Sequence, residues 1–249
     1  MPIENSINGG VSFVNYRGWG NAEGWEYPQF LVSDVQSLAN GEMLPVMTSI
    51  VCGTGNFDSW GADPCFAEAW IRSGTPGALK GGPAVFAPSH FNTHTKENNY
   101  ICTGFYQGAL FEDLRHMGQA VLRGKMELFR HFPLETGSGE AVEFYFHIYN
   151  IIGDPELYLR TGVPGSFDVT HDATVSLGEN MLAVHVTDSF GDAVPGAEVI
   201  VWKEDESFAA YELEGGKNIT MPLNAETAGT AYVTVVGKNM RAYTGTVSV

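Results

Sequence analysis

Cysteine is scarce in this sequence: Cys52, Cys65 and Cys102 are the only three in 249 residues, an odd number with no CxxC spacing. That excludes a disulfide framework, gives no sign of a zinc site, and leaves at least one thiol unpaired. Basic residues are few as well, 13 Lys and Arg against 29 Asp and Glu, with a net −8 on either side of Val163. Acidity spread this evenly argues against nucleic acid or an anionic membrane surface as a partner. No apolar stretch approaches the roughly 20 residues of a membrane-crossing helix, so membrane insertion is not expected. Met1–Gly10 has neither the basic start nor the apolar run of a signal peptide, which fits either a cytoplasmic chain or a piece of something longer. Core-forming material is plentiful: apolar residues make up 44% of the sequence, enough for two domains of ordinary size and against disorder.

Val11–Tyr16 and Val46–Val51 are short β-rich runs, and each leads straight into a Gly-rich turn. Between them Val32, Val35 and Leu38 sit at roughly helical spacing within Tyr27–Asn40. Strand, crossover and strand imply a parallel pair, because a hairpin needs only a tight turn. Cys65–Arg72 reads as a short helix with Pro64 in its first turn and Gly74 at its stop. Pro83–Ala87 is a third strand running into the loop Pro88-Ser89-His90. From Phe105 to Phe132 the apolar residues keep a helical period, predicting one long helix or two shorter ones with Gly118 and Gly124 as breaks. Ala141–Ile152 is predicted helical and Glu156–Arg160 a returning strand. Alternating strands and helices predict a mostly parallel sheet covered on both faces.

After Val163-Pro164-Gly165 the texture changes. Short alternating runs at Ala173–Leu177, Met181–Val186, Glu198–Trp202, Asn218–Pro222 and Thr230–Val236 are separated by Gly, Asn and Asp turns. This predicts a small all-β, immunoglobulin-like sandwich over residues 165–249, following a first domain over residues 1–164. No convergent chemistry marks the sandwich, so it reads as a stabilising or spacing module.

The turn after Val46–Val51 carries Cys52 at its tip. A thiol delivered by a strand end into a glycine loop sits where ligands of open α/β sheets bind and where backbone N–H groups can face a substrate. Cys65 and Cys102, in an amphipathic helix and an apolar loop, read as structural.

Several stretches taken together resemble the gingipain-type cysteine peptidases of the caspase-like fold. They are Asn15-Tyr16-Arg17-Gly18, the Gly20–Trp25 run, Val51–Phe57, Pro64–Ala69 and Gly153-Asp154-Pro155-Glu156-Leu157. The resemblance covers about residues 10–165, and an immunoglobulin-like module follows, as in that family. It implies an α/β caspase-like domain, incomplete at its N-terminal side because the family has a long segment before the first matching strand. It implies a cysteine endopeptidase homologue, with Cys52 as nucleophile and the Gly20 and Cys52 N–H groups as an oxyanion hole. It also implies a polypeptide substrate or peptide ligand, a secreted or cell-surface location, and a separate N-terminal portion of the peptidase domain as a partner. Calcium enters by the resemblance alone; Asp58, Asp63 and Glu68 are scattered acids without EF-hand-like spacing.

One departure bears directly on chemistry. Where the family has Gly-His-Gly, this sequence has Gly18-Trp19-Gly20, and an indole donates a hydrogen bond but takes no proton from a thiol. Loss of a general base typically costs about 10²- to 10⁴-fold. Two readings of the loop Ser89–His94 stay open. His90 or His94 replaces the base, if the Pro83–Ala87 strand lies beside the Cys52 strand, or both are loop histidines bonded to backbone. Trp19, Trp25 and Trp60 likewise read either as walls of a binding pocket or as packing. The alternative to an enzyme is a non-catalytic pseudopeptidase acting as a protein-binding or adhesion module.

Overall fold

A computed structural model describes residues 2–58 and 61–249, which form two compact units, Met1–Thr161 and Gly162–Val249. In the first, the order is α1 (Pro2–Asn8), β1 (Phe13–Tyr16), β2 (Gly20–Asn21), β3 (Gly24–Glu26), β4 (Gln29–Leu31), α2 (Val32–Ser37), β5 (Val46–Ser49) and α3 (Phe66–Arg72). There follow β6 (Gly74–Thr75), β7 (Ala78–Leu79), β8 (Ala84–Pro88), α4 (Thr95–Phe111), α5 (Met117–His131), α6 (Ala141–Ile148) and β9 (Tyr149–Gly153). The main sheet has the order β1-β5-β8-β9, with β1, β5 and β8 parallel and β9 antiparallel to β8.

The central strands are buried on both faces, and the period of two along them sorts their side chains. Val46, Ala84 and Phe86 point to one face, where Ile101, Phe105, Leu128 and Tyr145 from α4, α5 and α6 meet them. Met47, Val85 and Ala87 point to the other, against Val35 of α2, Phe66 and Trp70 of α3, and Trp25 of β3. Each fully buried Phe or Leu contributes about 1.5–3 kcal/mol. Thus helices cover both faces of a sheet whose first three strands end at the same edge.

Several expectations are corrected. The long helical stretch is two helices, and the break is at Glu112–His116, where Asp113 takes φ 58°, rather than at Gly118 or Gly124. Gly124 instead allows close approach: a Cβ there would lie 2.7 Å from the Ile101 carbonyl oxygen of α4. The Ala141–Ile152 helix stops at Ile148, and the β-branched pair Ile151 and Ile152 continues as β9 against β8. Glu156–Arg160 is no strand; only a single bridge, His116 to Tyr158, forms there. The sheet is therefore mixed. Tyr27–Asn40 divides into β4 and the short α2. Pro64 precedes Cys65, the N-cap of α3, instead of entering its first turn. Cys102, expected in a loop, lies in α4.

The second unit contains β10 (Gly165–His171), β11 (Gly178–Asp188), β12 (Glu198–Lys203), β13 (Ser207–Glu212), β14 (Asn218–Ala225), β15 (Thr230–Val236), β16 (Met240–Arg241) and β17 (Tyr243–Ser248). They form two four-stranded sheets, β14-β11-β10-β16 and β13-β12-β15-β17. Leu182, Val184 and Val186 of β11 and Val199 and Val201 of β12 fill the space between them. Strands β10, β13, β16 and β17 have no counterpart in the sequence expectation, and Ala173–Leu177 contributes one bridge at Thr174 rather than a strand. The turn after β12 is tied by Lys203, whose Nζ lies 2.5 Å from Glu206 Oε1 and 3.1 Å from Thr227 Oγ1. The ammonium holds the Glu206 carboxyl down to about 2.

Candidate active site

Because β1, β5 and β8 are parallel, the turns after them converge at one edge of the sheet, the usual place for a ligand in an α/β fold. The β5 turn is braced by the β8 turn: the Gly53 N–H donates to the His90 carbonyl at 3.0 Å and the Gly55 N–H to the Pro88 carbonyl at 2.9 Å. Gly53 has φ +58°, and a Cβ there would lie 2.5 Å from the Phe91 ring, so only glycine fits. Beneath the turn, Trp25 Nε1 donates to Ser49 Oγ at 2.9 Å, and Ser49 and Thr54 share a hydroxyl contact of 2.8 Å. Arg17 closes the side toward α4, with contacts of 2.7 Å to the Ile50 carbonyl, 3.3 Å to the Thr95 carbonyl and 2.5 Å to Asn99 Oδ1.

Cys52 rides on this frame, half-buried and in no disulfide. Among the described residues its sulfur has two hydrogen-bond partners, both from Thr93: the hydroxyl donates to it at 3.3 Å, and the thiol donates to the carbonyl at 3.6 Å. The Cys52 N–H has no acceptor among the described residues. Gly20 faces the same turn, since a Cβ on it would lie 3.3 Å from both Val51 Cγ2 and Thr54 Cγ2 and 2.8 Å from the Gly24 carbonyl. Glu26 donates to the Trp19 carbonyl at 2.9 Å, and Gly20 pairs with Trp25 in the next register position. Alternation in an antiparallel ladder makes the Gly20–Trp25 pair a non-hydrogen-bonded one, so the Gly20 N–H points away from β3. The Cys52 and Gly20 N–H groups are thereby left without a backbone acceptor among the described residues.

The remaining expected residues separate. Strand β8 does lie beside β5, but the imidazoles of His90 and His94 are not partners of the Cys52 sulfur. His90 Nδ1 accepts the Asn92 N–H at 3.0 Å, which puts the neutral ring's proton on Nε2, and its ring packs edge-on to Phe144. His94 caps α4 through its backbone, its N–H donating to the Tyr145 hydroxyl at 2.6 Å, and its side chain is exposed. Trp25 is a core residue, 2% exposed, stacked on Tyr16 at 4.4 Å and tilted against Phe66 at 5.1 Å. Its large apolar ring is used for packing, not as a cleft wall. Trp19 is the opposite, 70% exposed, and Trp60 lies outside the described residues. Tyr27, Phe57 and Phe91 are exposed aromatics on the same stretches of chain.

Burial pushes the Cys65 thiol up to about 11 and raises that of Cys102, so both stay protonated at neutral pH. Asp63 and Glu68 both face Arg72, Glu68 also accepts the Cys65 N–H, and no group of three metal-binding side chains occurs among the described residues. Thr93, Asn98 and Arg17 had no assigned role in the sequence reading. They come together only through the folding of β1, β8 and α4, and no local spacing signals that.

Residues 2–160 match the family model described as Peptidase family C25. The chain belongs to peptidase family C25. Two gingipains of Porphyromonas gingivalis are similar over 99% of it: gingipain R1 at 26% identity, of which it covers 24%, and gingipain R2 at 26%, of which it covers 35%. The chain thus spans a quarter to a third of these curated relatives. The crystal structure of the Arg-specific cysteine proteinase gingipain R aligns over the whole chain with a TM-score of 0.81 at 23% identity, the chain covering 55% of it. The complex of the RgpB pro- and mature domains aligns at 0.78 with 22% identity over 99% of this chain and 56% of that one. The caspase-like fold of this C25 chain follows from these likenesses. No helix among its described residues is long and apolar enough to cross a membrane.

Proposed function

We propose that this C25 chain acts on polypeptides as a gingipain-like cysteine endopeptidase homologue, with Cys52 as nucleophile. The observation that carries the reading is the pairing of a half-buried thiol with two N–H groups that have no backbone acceptor among the described residues, those of Cys52 and Gly20, at the carboxyl edge of the sheet. In acyl transfer the sulfur attacks the peptide carbonyl carbon, the N–H pair receives the oxyanion, the C–N bond breaks to release an amine that takes up a proton, and water hydrolyses the thioester. The base is the weak element. Of the loop histidines, His94 has the freer ring, since His90 already uses Nδ1 as an acceptor and presents a protonated Nε2.

A second reading is favoured by the same edge. With Trp19 exposed where a histidine is expected, and with Tyr27, Phe57 and Phe91 also exposed, the cleft suits retention of a peptide without cleavage. A peptidyl acyloxymethyl ketone separates the two. Labelling of the wild type that disappears in Cys52→Ala supports the peptidase, whereas saturable peptide binding without labelling supports the binding module. Loss of labelling in His94→Ala alone would identify the base.

The remaining elements fit this function in a supporting role. The β unit reads as an immunoglobulin-like spacer, its two four-stranded sheets enclosing an apolar core with no cluster of reactive groups among the described residues. Strand β1 ends the order of the main sheet, and its outer edge suits pairing with a separate portion of peptidase-domain chain. A secreted or cell-surface location fits the family and the acidic surface.

A further inference from the structure

Three side chains connect the sulfur to the interior of the first unit. Tyr149, the first residue of β9, places its hydroxyl 2.6 Å from Asn98 Oδ1. Asn98, in the first turn of α4, donates through Nδ2 to Thr93 Oγ1 at 3.2 Å, and Thr93 donates in turn to Cys52 Sγ at 3.3 Å. Tyr149 is fully buried, Asn98 4% exposed and Thr93 8% exposed.

The polarity of this chain is fixed by chemistry. The 2.6 Å Tyr149–Asn98 contact is ordinary for O–H···O and short for N–H···O, so the Asn98 oxygen faces the phenol and its nitrogen faces Thr93. Burial holds the Tyr149 phenol protonated far above its usual range, so it stays a donor. Thr93 Oγ1, already accepting from Asn98, has one proton left to give, and it points at the sulfur. The opposing contact is the Thr93 carbonyl, which only the protonated thiol can bond. The hydroxyl and the carbonyl of one residue therefore favour opposite states of Cys52.

We propose that Tyr149, Asn98 and Thr93 form a one-way hydrogen-bond relay that aims a donor at the Cys52 sulfur and so favours its thiolate over its thiol, the thiol proton passing to solvent. These are positioning residues; none touches the substrate. The inference rests on Cys52 being the reactive group of the site. Tyr145 and Tyr149 interact electrostatically with Cys52, and the charged groups around them act on those phenols in turn. Arg17 follows β1, Glu97 lies in α4, Tyr145 in α6 and Tyr149 in β9, and His90 and His94 share the Thr93 loop. Arg17 and Glu97 oppose each other in sign. The relay adds directed donation where this mixed field gives little, and a donor to a charged acceptor is worth more than one between neutral groups.

The test is the rate of iodoacetamide alkylation of Cys52 against pH in the whole chain, followed by peptide mapping, for the wild type, Thr93→Val, Thr93→Ser and Tyr149→Phe. Thr93→Val leaves the sulfur only the carbonyl. It is expected to react about tenfold more slowly at pH 7, with the midpoint of the profile moved roughly one pH unit upward. Thr93→Ser, which keeps the hydroxyl, returns the wild-type profile, and Tyr149→Phe moves the midpoint upward by about half as much. A merely structural role lowers the melting temperature of Thr93→Val without moving the midpoint. An unmoved or downward-shifted midpoint in folded Thr93→Val overturns the relay. The acyloxymethyl ketone reports separately. A shifted alkylation profile without peptide-probe labelling keeps the relay and rejects the peptidase. Labelling of the wild type with an unmoved profile in both variants rejects the relay alone.

Discussion

The turn after β1 and the turn after β5 close neighbouring strands of one sheet, yet they place their central side chains in opposite environments. At Cys52 the side chain is half-buried and gripped by Thr93, and the flanking backbone is tied to β8 through Gly53 and Gly55. At Trp19 the backbone is equally well held, because the Tyr16 hydroxyl lies 3.0 Å from both the Trp19 and the Tyr27 carbonyls and shares its proton between them. The Trp19 side chain, by contrast, is in solvent. One turn keeps frame and reactive group together. The other keeps the frame without a proton acceptor, so geometry and chemistry are separable at this edge of the sheet.

The largest effect that sharpens this contrast comes from the two tryptophans flanking Gly20. Trp25→Ala removes a buried ring from a stack of aromatics and is expected to cost the first unit about 3–5 kcal/mol, whereas Trp19→Ala stays within about 0.5 kcal/mol. Urea titrations of both variants check this, and comparable losses would mean that the Trp19 ring is structural after all. Next in size, Trp19→His supplies an imidazole on a backbone already in place. If the thiol lacks only its base, acyloxymethyl ketone labelling rises by about 10²-fold or more. No gain would show that the two turns are not chemically complementary.

Burial provides a third measure. With its thiol raised to about 11, Cys65 carries roughly a hundredfold less thiolate at pH 8 than an ordinary cysteine. Its alkylation should be suppressed to that extent in the native chain, return in urea, and rise in the folded chain only as the pH climbs toward its raised value. Rapid native labelling of Cys65 would contradict the packing of α3. The smallest effect is at the brace: Gly53→Ala forces φ +58° on an L-residue and displaces Phe91, for about 1–3 kcal/mol. Equilibrium unfolding reads the cost, and a neutral result would show that the β8 loop yields freely.

The parts of the fold visible in the sequence are those in which period and burial agree. Val46–Ser49 and Ala84–Pro88 are buried on both faces and read as strands, and Thr230–Val236 alternates cleanly. The segment around Ile151 and Ile152 misled because an aromatic helix runs into it without a breaker, and only pairing with β8 decides its state. Gly118 and Gly124 read as breaks because close approach of another segment, Pro155 at Gly118 and α4 at Gly124, and helix termination call for the same residue. At the site, the Cys52 turn stands out by its glycines, whereas the role of Gly20 enters only through the family resemblance. The Thr93 and Asn98 contacts do not show in the sequence, since they depend on where the start of α4 docks, and neither residue type advertises a partner at such separation.

Position 19 has an evolutionary consequence. Since Tyr16 and the ladder to Glu26, not the residue itself, fix the backbone there, the position behaves as a socket whose occupant can be exchanged without rebuilding the loop. A lineage can therefore lose an acid–base group and later regain it while the fold is inherited unchanged. Activity and architecture in such a chain answer to separate selection.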